Sequence, residues 1–279
     1  MIEYDHLEAM GNMIITSKNE FSGARFDAFQ KLAMAAKAHG SLIVAQLCHT
    51  GRQVDIRIQK NPISASDVQL IGNAMRMEFA KPHTASTQEM AHIKHSFAHA
   101  AEFLDKAGYD GVELHAAHGY LLGQFLALST NKRTDEYGGT LQNRLRFIVE
   151  IADECRKRVS KDFIIGIKIN SVEFEEGGFS PEEAQTLVEH LEIAQFDYVE
   201  LSGGTYEKSA FKHQRESTKK REAFFLEFAE DIVKNLKKTR TYVTGGFRTV
   251  GAMVHALNIV DGIGLGRPVC QEFDLPKKM

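Results

Sequence analysis

The residues best suited to chemistry lie in Gly111-Val112-Glu113-Leu114-His115-Ala116-Ala117-His118-Gly119-Tyr120-Leu121, where an apolar run passes into a loop carrying two histidines three apart and then a tyrosine. Two neutral imidazoles converging on one point can ligate a metal or donate a pair of hydrogen bonds to a carbonyl oxygen. A neighbouring tyrosine can deliver a proton. No cysteine or further histidine follows at zinc-site spacing, which weakens the metal alternative. The plain alternative is a pair of histidines satisfied by backbone groups. Lys168, inside the apolar Gly166-Ile167-Lys168-Ile169-Asn170, must meet an anion, because lysine is rarely buried unpaired. Gln46, in Gln46-Leu47-Cys48-His49, offers one acceptor and two donors. That set suits the edge of a heterocyclic ring, and equally an amide that closes a loop. Two glycine-rich segments, Thr244-Gly245-Gly246-Phe247 and Gly264-Leu265-Gly266-Arg267-Pro268, can bring backbone N–H groups close to a phosphate, with Arg267 adding charge; tight turns are the alternative use.

These residues need a scaffold that gathers strand ends. Short apolar runs at Met13–Thr16, Ser41–Leu47, Asp110–Ala116, Phe163–Ser171, Tyr198–Gly203, Thr241–Phe247 and Asp261–Arg267 read as seven continuous strands buried on both faces. Helical patterns separate them. Phe26, Phe29, Ala33 and Ala36 share a face before Gly40, and Ile93, Phe97, Ala101 and Leu104 share another before Gly108. Leu141, Leu145, Ile148, Ala152, Cys155 and Val159 form a third stripe, Ser180-Pro181-Glu182-Glu183 starts a helix, and Phe225, Phe228, Ile232 and Leu236 mark the last. Alternating strands and helices give an α/β fold with a parallel sheet, either doubly wound or a (β/α)8 TIM barrel. Polar residues and glycines gather at the C-terminal ends of several strands, where barrels place their sites. With seven strands counted, the barrel is expected to be incomplete at the N-terminus. No linker divides the chain, so residues 1–279 are expected to form one domain.

Composition fits a soluble globular protein. The 279 residues are 43% hydrophobic and 25% charged, with a net charge of −3 and both signs interspersed. Nothing in that balance calls for nucleic acid or an anionic membrane surface as partner. No apolar run approaches the roughly 18 residues of a membrane span. The acidic start is unlike a signal peptide. Three scattered cysteines suit free thiols in the cytoplasm.

The run His115–Phe147, HAAHGYLLGQFLALSTNKRTDEYGGTLQNRLRF, resembles the signature of the Old Yellow Enzyme family, the FMN-dependent NAD(P)H oxidoreductases and ene-reductases. QLCHTGR, ELSGGTYE, TGGFRT and GLGRP follow in the order that family has, and the resemblance covers roughly residues 10 to 276. It implies a TIM barrel whose FMN phosphate is held by Gly245, Gly246, Gly266 and Arg267. It implies that Gln46 bonds the flavin pyrimidine edge and that Lys168 stands where many members carry arginine, beside flavin N1. His115 and His118 would then bind and polarise the carbonyl of an α,β-unsaturated substrate. Tyr120 would protonate the α-carbon, with NAD(P)H as reductant. A homodimer is compatible with the family. The family's first strand has no counterpart here. An alternative is therefore a degenerate relative without flavin binding or catalysis, and a further one is a Schiff-base lyase using Lys168.

Other motifs take plainer roles. His92, His95 and His99 are expected on a solvated helix face rather than around a metal. Lys208 to Arg221 reads as a basic surface loop. Asn131, Arg133, Asp135, Tyr137, Asn143 and Arg144 are expected to brace the loop after the histidine pair.

Overall fold

The chain is described by a computed structural model over residues 13–72, 77–172, 181–203 and 226–279. Its frame is a parallel sheet of six strands: β1 (Val44–Leu47), β4 (Gly111–Ala116), β5 (Ile164–Val172), β6 (Tyr198–Gly203), β7 (Arg240–Thr244) and β8 (Gly262–Gly264), in that spatial order. A separate two-stranded parallel pair, β2 (Ile63–Ser64) and β3 (His83–Thr84), lies in the long excursion between β1 and β4. The helices between strands are α1 (Gly23–Lys37), α2 (Thr87–Lys106), α3 (Leu121–Leu126), α4 (Leu141–Arg156), α5 (Pro181–Ile193), α6 (Leu226–Val233) and α7 (Val250–Ala256), with a short α8 (Arg267–Gln271) after β8. Consecutive neighbours joined through helices are the strand order of a TIM barrel, here left open between β1 and β8 among the described residues.

Six of the seven expected strands form this sheet. The exception is Met13–Thr16, which joins no ladder of the six-stranded sheet. Ile14 and Ile15 are buried, the Ile14 carbonyl accepts from Arg25, and the Thr16 N–H is taken by Asn19 Oδ1 at 2.7 Å. The segment keeps its apolar contact and ends in a turn. Ile15 makes a single β-bridge, and strand propensity without a continuing partner does not extend that to a ladder.

The central strands β4, β5 and β6 are largely buried on both faces, as expected, whereas β1, β7 and β8 at the open edges are partly exposed; the central strands alternate chemically. Val112, Leu114 and Ala116 of β4, Ile165, Ile167 and Ile169 of β5, and Val199 and Leu201 of β6 point outward and are essentially inaccessible. They pack on Ile93, Phe97, Leu104, Ile148, Ile151 and Leu187 of the helices. The inward positions are polar. Cross-strand register stacks them in layers, as in a barrel interior. One layer runs Gln46, Glu113, Gly166 and Tyr198; the next runs His115, Lys168, Glu200, Tyr242 and Gly262. The two glycines are there because the tyrosine rings need the room. A Cβ on Gly166 would lie 2.1 Å from the Tyr198 ring, and one on Gly262 2.5 Å from the Tyr242 ring.

The helix stripes hold, with local exceptions. Ala36 is exposed although Phe26, Phe29 and Ala33 are buried, and Gly40 and Gly108 close their helices at φ +84° and +88°. His99 departs from the solvated face assigned to it: it is buried, stacked on Phe21 at 5.4 Å, and bonded to the Asn19 carbonyl. Burial holds its imidazole below the ordinary histidine value, aided by neighbouring His95 and Arg158, while the Asn19 carbonyl and Glu102 oppose. Ser180, Phe225 and Lys208 to Arg221, and the side chain of Phe228, fall outside the described residues.

Candidate active site

His115 lies one residue before the end of β4 with its side chain inward, and the chain then turns sharply. His118 sits at φ +58° and Gly119 at φ +75°. A non-glycine residue in the left-handed region costs free energy, so the turn must be held from outside. Asn170 of β5 accepts from the His118 N–H at 3.1 Å, and Gln53 donates to the His118 carbonyl at 2.9 Å. Gln124 of α3, fully buried, donates to the Gly119 carbonyl at 2.7 Å and accepts from the Arg52 N–H. The His49 carbonyl accepts from the Leu121 N–H at 3.0 Å. The loop after β1 and the loop after β4 are thus sewn together. A Cβ on Gly119 would lie 2.7 Å from Gln53, and one on Gly51 2.3 Å from Gln124, so both glycines are required by the seam.

This turn gathers three rings. The His115 ring lies 5.1 Å from that of His118 and 4.8 Å from that of Tyr120, each edge-on. His115 Nδ1 accepts from the Ala117 N–H at 3.2 Å, which places the His115 proton on Nε2. His118 Nε2 meets Ser202 Oγ of β6 at 2.9 Å. Burial and the charge of Lys168 act on both rings. The His115 imidazole is pushed down to about 2 and the His118 imidazole to about 4, burial being the larger cause in each. At neutral pH the pair is uncharged and can donate to an oxygen without competing as a cation.

Lys168 lies beside His115 in the ladder and opposite Glu200, whose carboxylate it meets at 2.5 Å. Its anion, inferred from burial alone, is therefore supplied within the chain. Gln46 donates from Nε2 to Glu113 at 2.7 Å, with its side chain exposed toward the open edge of the sheet. Thr244 places its hydroxyl beside Glu200. The residue after it, Gly245, has φ +135° and Gly246 φ +77°. Thr244 pairs with Gly264, so the glycine segments after β7 and β8 are neighbours, and Gly266 and Arg267 are both exposed at that end. The candidate catalytic and cofactor residues thus lie on the inner face of adjoining strands or in the loops that follow their C-terminal ends.

The bracing set behaves as expected. Asn131 donates to the carbonyls of Phe125 and Tyr137 at 2.7 and 2.8 Å, Arg133 to those of Ala65 and Ala85, and Arg144 bonds Leu126 and Glu183. Sequence reasoning passed over Glu113, Glu200 and Tyr198. The signal was present: an acid in the middle of Val-Glu-Leu occurs in both β4 and β6, and an acid buried in a strand needs partners. It also passed over Gln53, Gln124 and Asn170, which only the fold brings to the turn. No group of three potential metal ligands occurs among the described residues. No helix among them is long and apolar enough to cross a membrane.

The NADH:flavin oxidoreductase / NADH oxidase family model matches residues 6–279. The chain belongs to that family. Within it, the chain is 55% identical over 276 residues to the NADH-dependent flavin oxidoreductase nadA of Aspergillus parasiticus, covering 98% of this chain and 62% of that protein. It is 38% identical over 269 residues to the NADH-dependent flavin oxidoreductase iccE of Talaromyces variabilis, covering 88% of this chain and 64% of that one. The chain therefore spans less than two-thirds of the length of these relatives. Among solved structures, a 2-naphthoyl-CoA reductase complex aligns at TM-score 0.80 and 26% identity over 92% of this chain and 40% of that one. Morphinone reductase with bound tetrahydroNAD, at TM-score 0.70 and 24% identity over 92% and 74%, shares the fold. Family membership accords with the Old Yellow Enzyme resemblance of the His115–Phe147 motif and with an α/β barrel architecture.

Proposed function

We propose that residues 1–279 form one flavin oxidoreductase domain that binds FMN and uses NAD(P)H to reduce the activated C=C bond of α,β-unsaturated carbonyl compounds. The observation that carries this proposal is the clustering of His115, His118 and Tyr120 above Lys168 on one face of the sheet. The residues suit FMN. Gly245 and Gly246 have the positive φ that turns backbone N–H groups toward a ligand, exposed Arg267 adds a cation, and an amide and an ammonium stand further in. Gly245, Gly246, Gly266 and Arg267 would hold the phosphate, and Gln46 and Lys168 the polar edge of the ring. Bound FMN would supply hydride transfer from NAD(P)H to the substrate β-carbon.

The chain's own contribution is orientation, charge and a proton. The neutral imidazoles of His115 and His118 would donate to the substrate carbonyl oxygen, favouring the negative charge that develops there. For His118 this means exchanging Ser202 for substrate. Tyr120 would give its hydroxyl proton to the α-carbon. An ammonium held by Glu200 suits a counter-cation, whereas a Schiff-base nucleophile needs a neutral amine. Purified protein mixed with FMN and desalted should stay yellow in stoichiometric amount and oxidise NAD(P)H in the presence of a cyclic enone. Colourless protein after desalting, with no NAD(P)H-driven enone loss, would refute this function and favour a non-catalytic relative.

A further inference from the structure

Beneath the imidazoles, two carboxyl groups face each other across the sheet interior. Glu113 of β4 and Glu200 of β6 both project from the inner face, one layer apart, and close enough for each to act on the other's charge; Glu113 is almost wholly buried. Each also holds one of the residues assigned to the flavin edge: Gln46 donates to Glu113 at 2.7 Å, and Lys168 to Glu200 at 2.5 Å. The Tyr198 hydroxyl lies beside Glu113 and that of Thr244 beside Glu200. Two buried carboxyls this close are stable together only if one of them is protonated.

The charge balance requires the same proton. The groups facing the pair are Gln46 from β1, His115 on β4 itself with His118 just above, Lys168 from β5, Tyr198 from β6, and Tyr242 and Thr244 from β7. Both imidazoles are neutral, so among the described residues Lys168 is the one cation there to balance an anion. Two ionised carboxylates in such a setting repel strongly. Burial first, and then the charge of Glu200, push Glu113 up to about 7. Burial would raise Glu200 too, but Lys168, with Glu113 and Thr244 close by, outweighs it and leaves Glu200 below its ordinary value.

We propose that Glu113 and Glu200 share a single proton and act as the positioning pair of the flavin site, Glu200 fixing the Lys168 ammonium and Glu113 the Gln46 amide. The positioning role rests on the FMN site proposed above; the shared proton does not. Above neutrality Glu113 ionises, and the added negative charge offsets Lys168 where a reduced flavin would need it.

Two measurements test this. First, without flavin, wild type and Glu113→Gln are unfolded at pH 5 to 8.5. A carboxyl raised in the folded state gives stability that is full below its unfolded value near 4.5 and lost as pH rises through about 7. Wild type should therefore lose several degrees of Tm relative to Glu113→Gln across that window. Parallel curves, with no protonated-carboxyl infrared band in wild type at pH 6 that vanishes by pH 8.5, would overturn the shared proton, and the infrared arm decides it alone if the variant does not fold. Second, the midpoint potential of bound flavin is followed with pH. Wild type should bend downward near pH 7, and Glu113→Gln should lack the bend, keeping a roughly tenfold higher preference for reduced flavin at pH 8.5. Glu200→Gln, which frees Lys168, should raise the potential throughout. Flavin bound with unchanged potentials in both variants overturns the positioning role. Protein that takes up no FMN overturns it together with the function above, while the apoprotein titration still decides the shared proton.

Discussion

The loop that carries His118 and the segments after β7 and β8 lie at the same end of the sheet and are built on opposite terms. The first is stitched from outside by Gln53, Gln124 and Asn170, and its backbone is held in a conformation that a histidine does not choose. The second has exposed Gly266 and Arg267, and a Cβ on Gly266 would meet nothing within 4 Å. A donor pair that must meet a developing charge is useful only if it is already in place, so the chain spends strain on it. A phosphate cradle made of backbone needs room and conformational freedom more than it needs a fixed shape. On this contrast, mutations on the first side should change turnover and leave cofactor affinity nearly intact, and mutations on the second should do the reverse.

The sharpest break should come from Tyr120→Phe, which removes one oxygen beside His115 and no packing. Oxidation by an enone should slow by about 10³-fold, while reduction by NAD(P)H stays within a factor of a few. Stopped-flow measurement of the two halves separates them; a slower reduction with normal oxidation would mean that another group donates the proton. Next, His118→Ala should lower enone turnover by about 10²-fold and leave FMN affinity within about threefold, because it deletes one of two donors to the oxygen. Equal losses in turnover and in flavin retention would dissolve the contrast. Arg267→Ala tests the other side: FMN binding should weaken about tenfold, with the turnover of saturated enzyme close to wild type. A drop in kcat at full flavin occupancy would show that Arg267 also acts on the reacting end.

The contrast also marks what the sequence could disclose. The six ladder strands, the helix stripes and the role-bearing types His115, His118, Tyr120 and Lys168 were legible because local periodicity and the chemistry of single side chains announce them. Two things were not. Met13–Thr16 has the composition of a strand, but whether it pairs depends on a neighbour that local sequence does not encode. Lys168 was correctly taken to need an anion, yet its partner is 32 residues away, and only the β5–β6 register sets it opposite Glu200. The same holds for Gln46 and Glu113, 67 residues apart. Pairings of this kind are products of topology, which is why the polar interior was invisible until the strands were laid side by side.

A further test concerns protons on the stitched side alone. His115 and His118 are held far below the ordinary histidine value by burial and by like charge. A depressed imidazole gives stability that is complete above its unfolded value near 6.5 and is lost as pH falls toward the folded value, because the unfolded chain takes the proton first. For His118 that window runs from about 6.5 to about 4. Glu113 changes stability in the opposite sense over part of the same range, so the wild-type curve alone does not isolate the histidine. The difference between wild type and His118→Ala does. As pH falls from 7 to 4.5, wild type should lose about 2–3 kcal/mol relative to the variant, read by urea unfolding. Arg267→Ala should follow the wild-type slope. A His118→Ala curve parallel to wild type would place a charged imidazole in the folded protein, and the neutral donor pair would have to be given up.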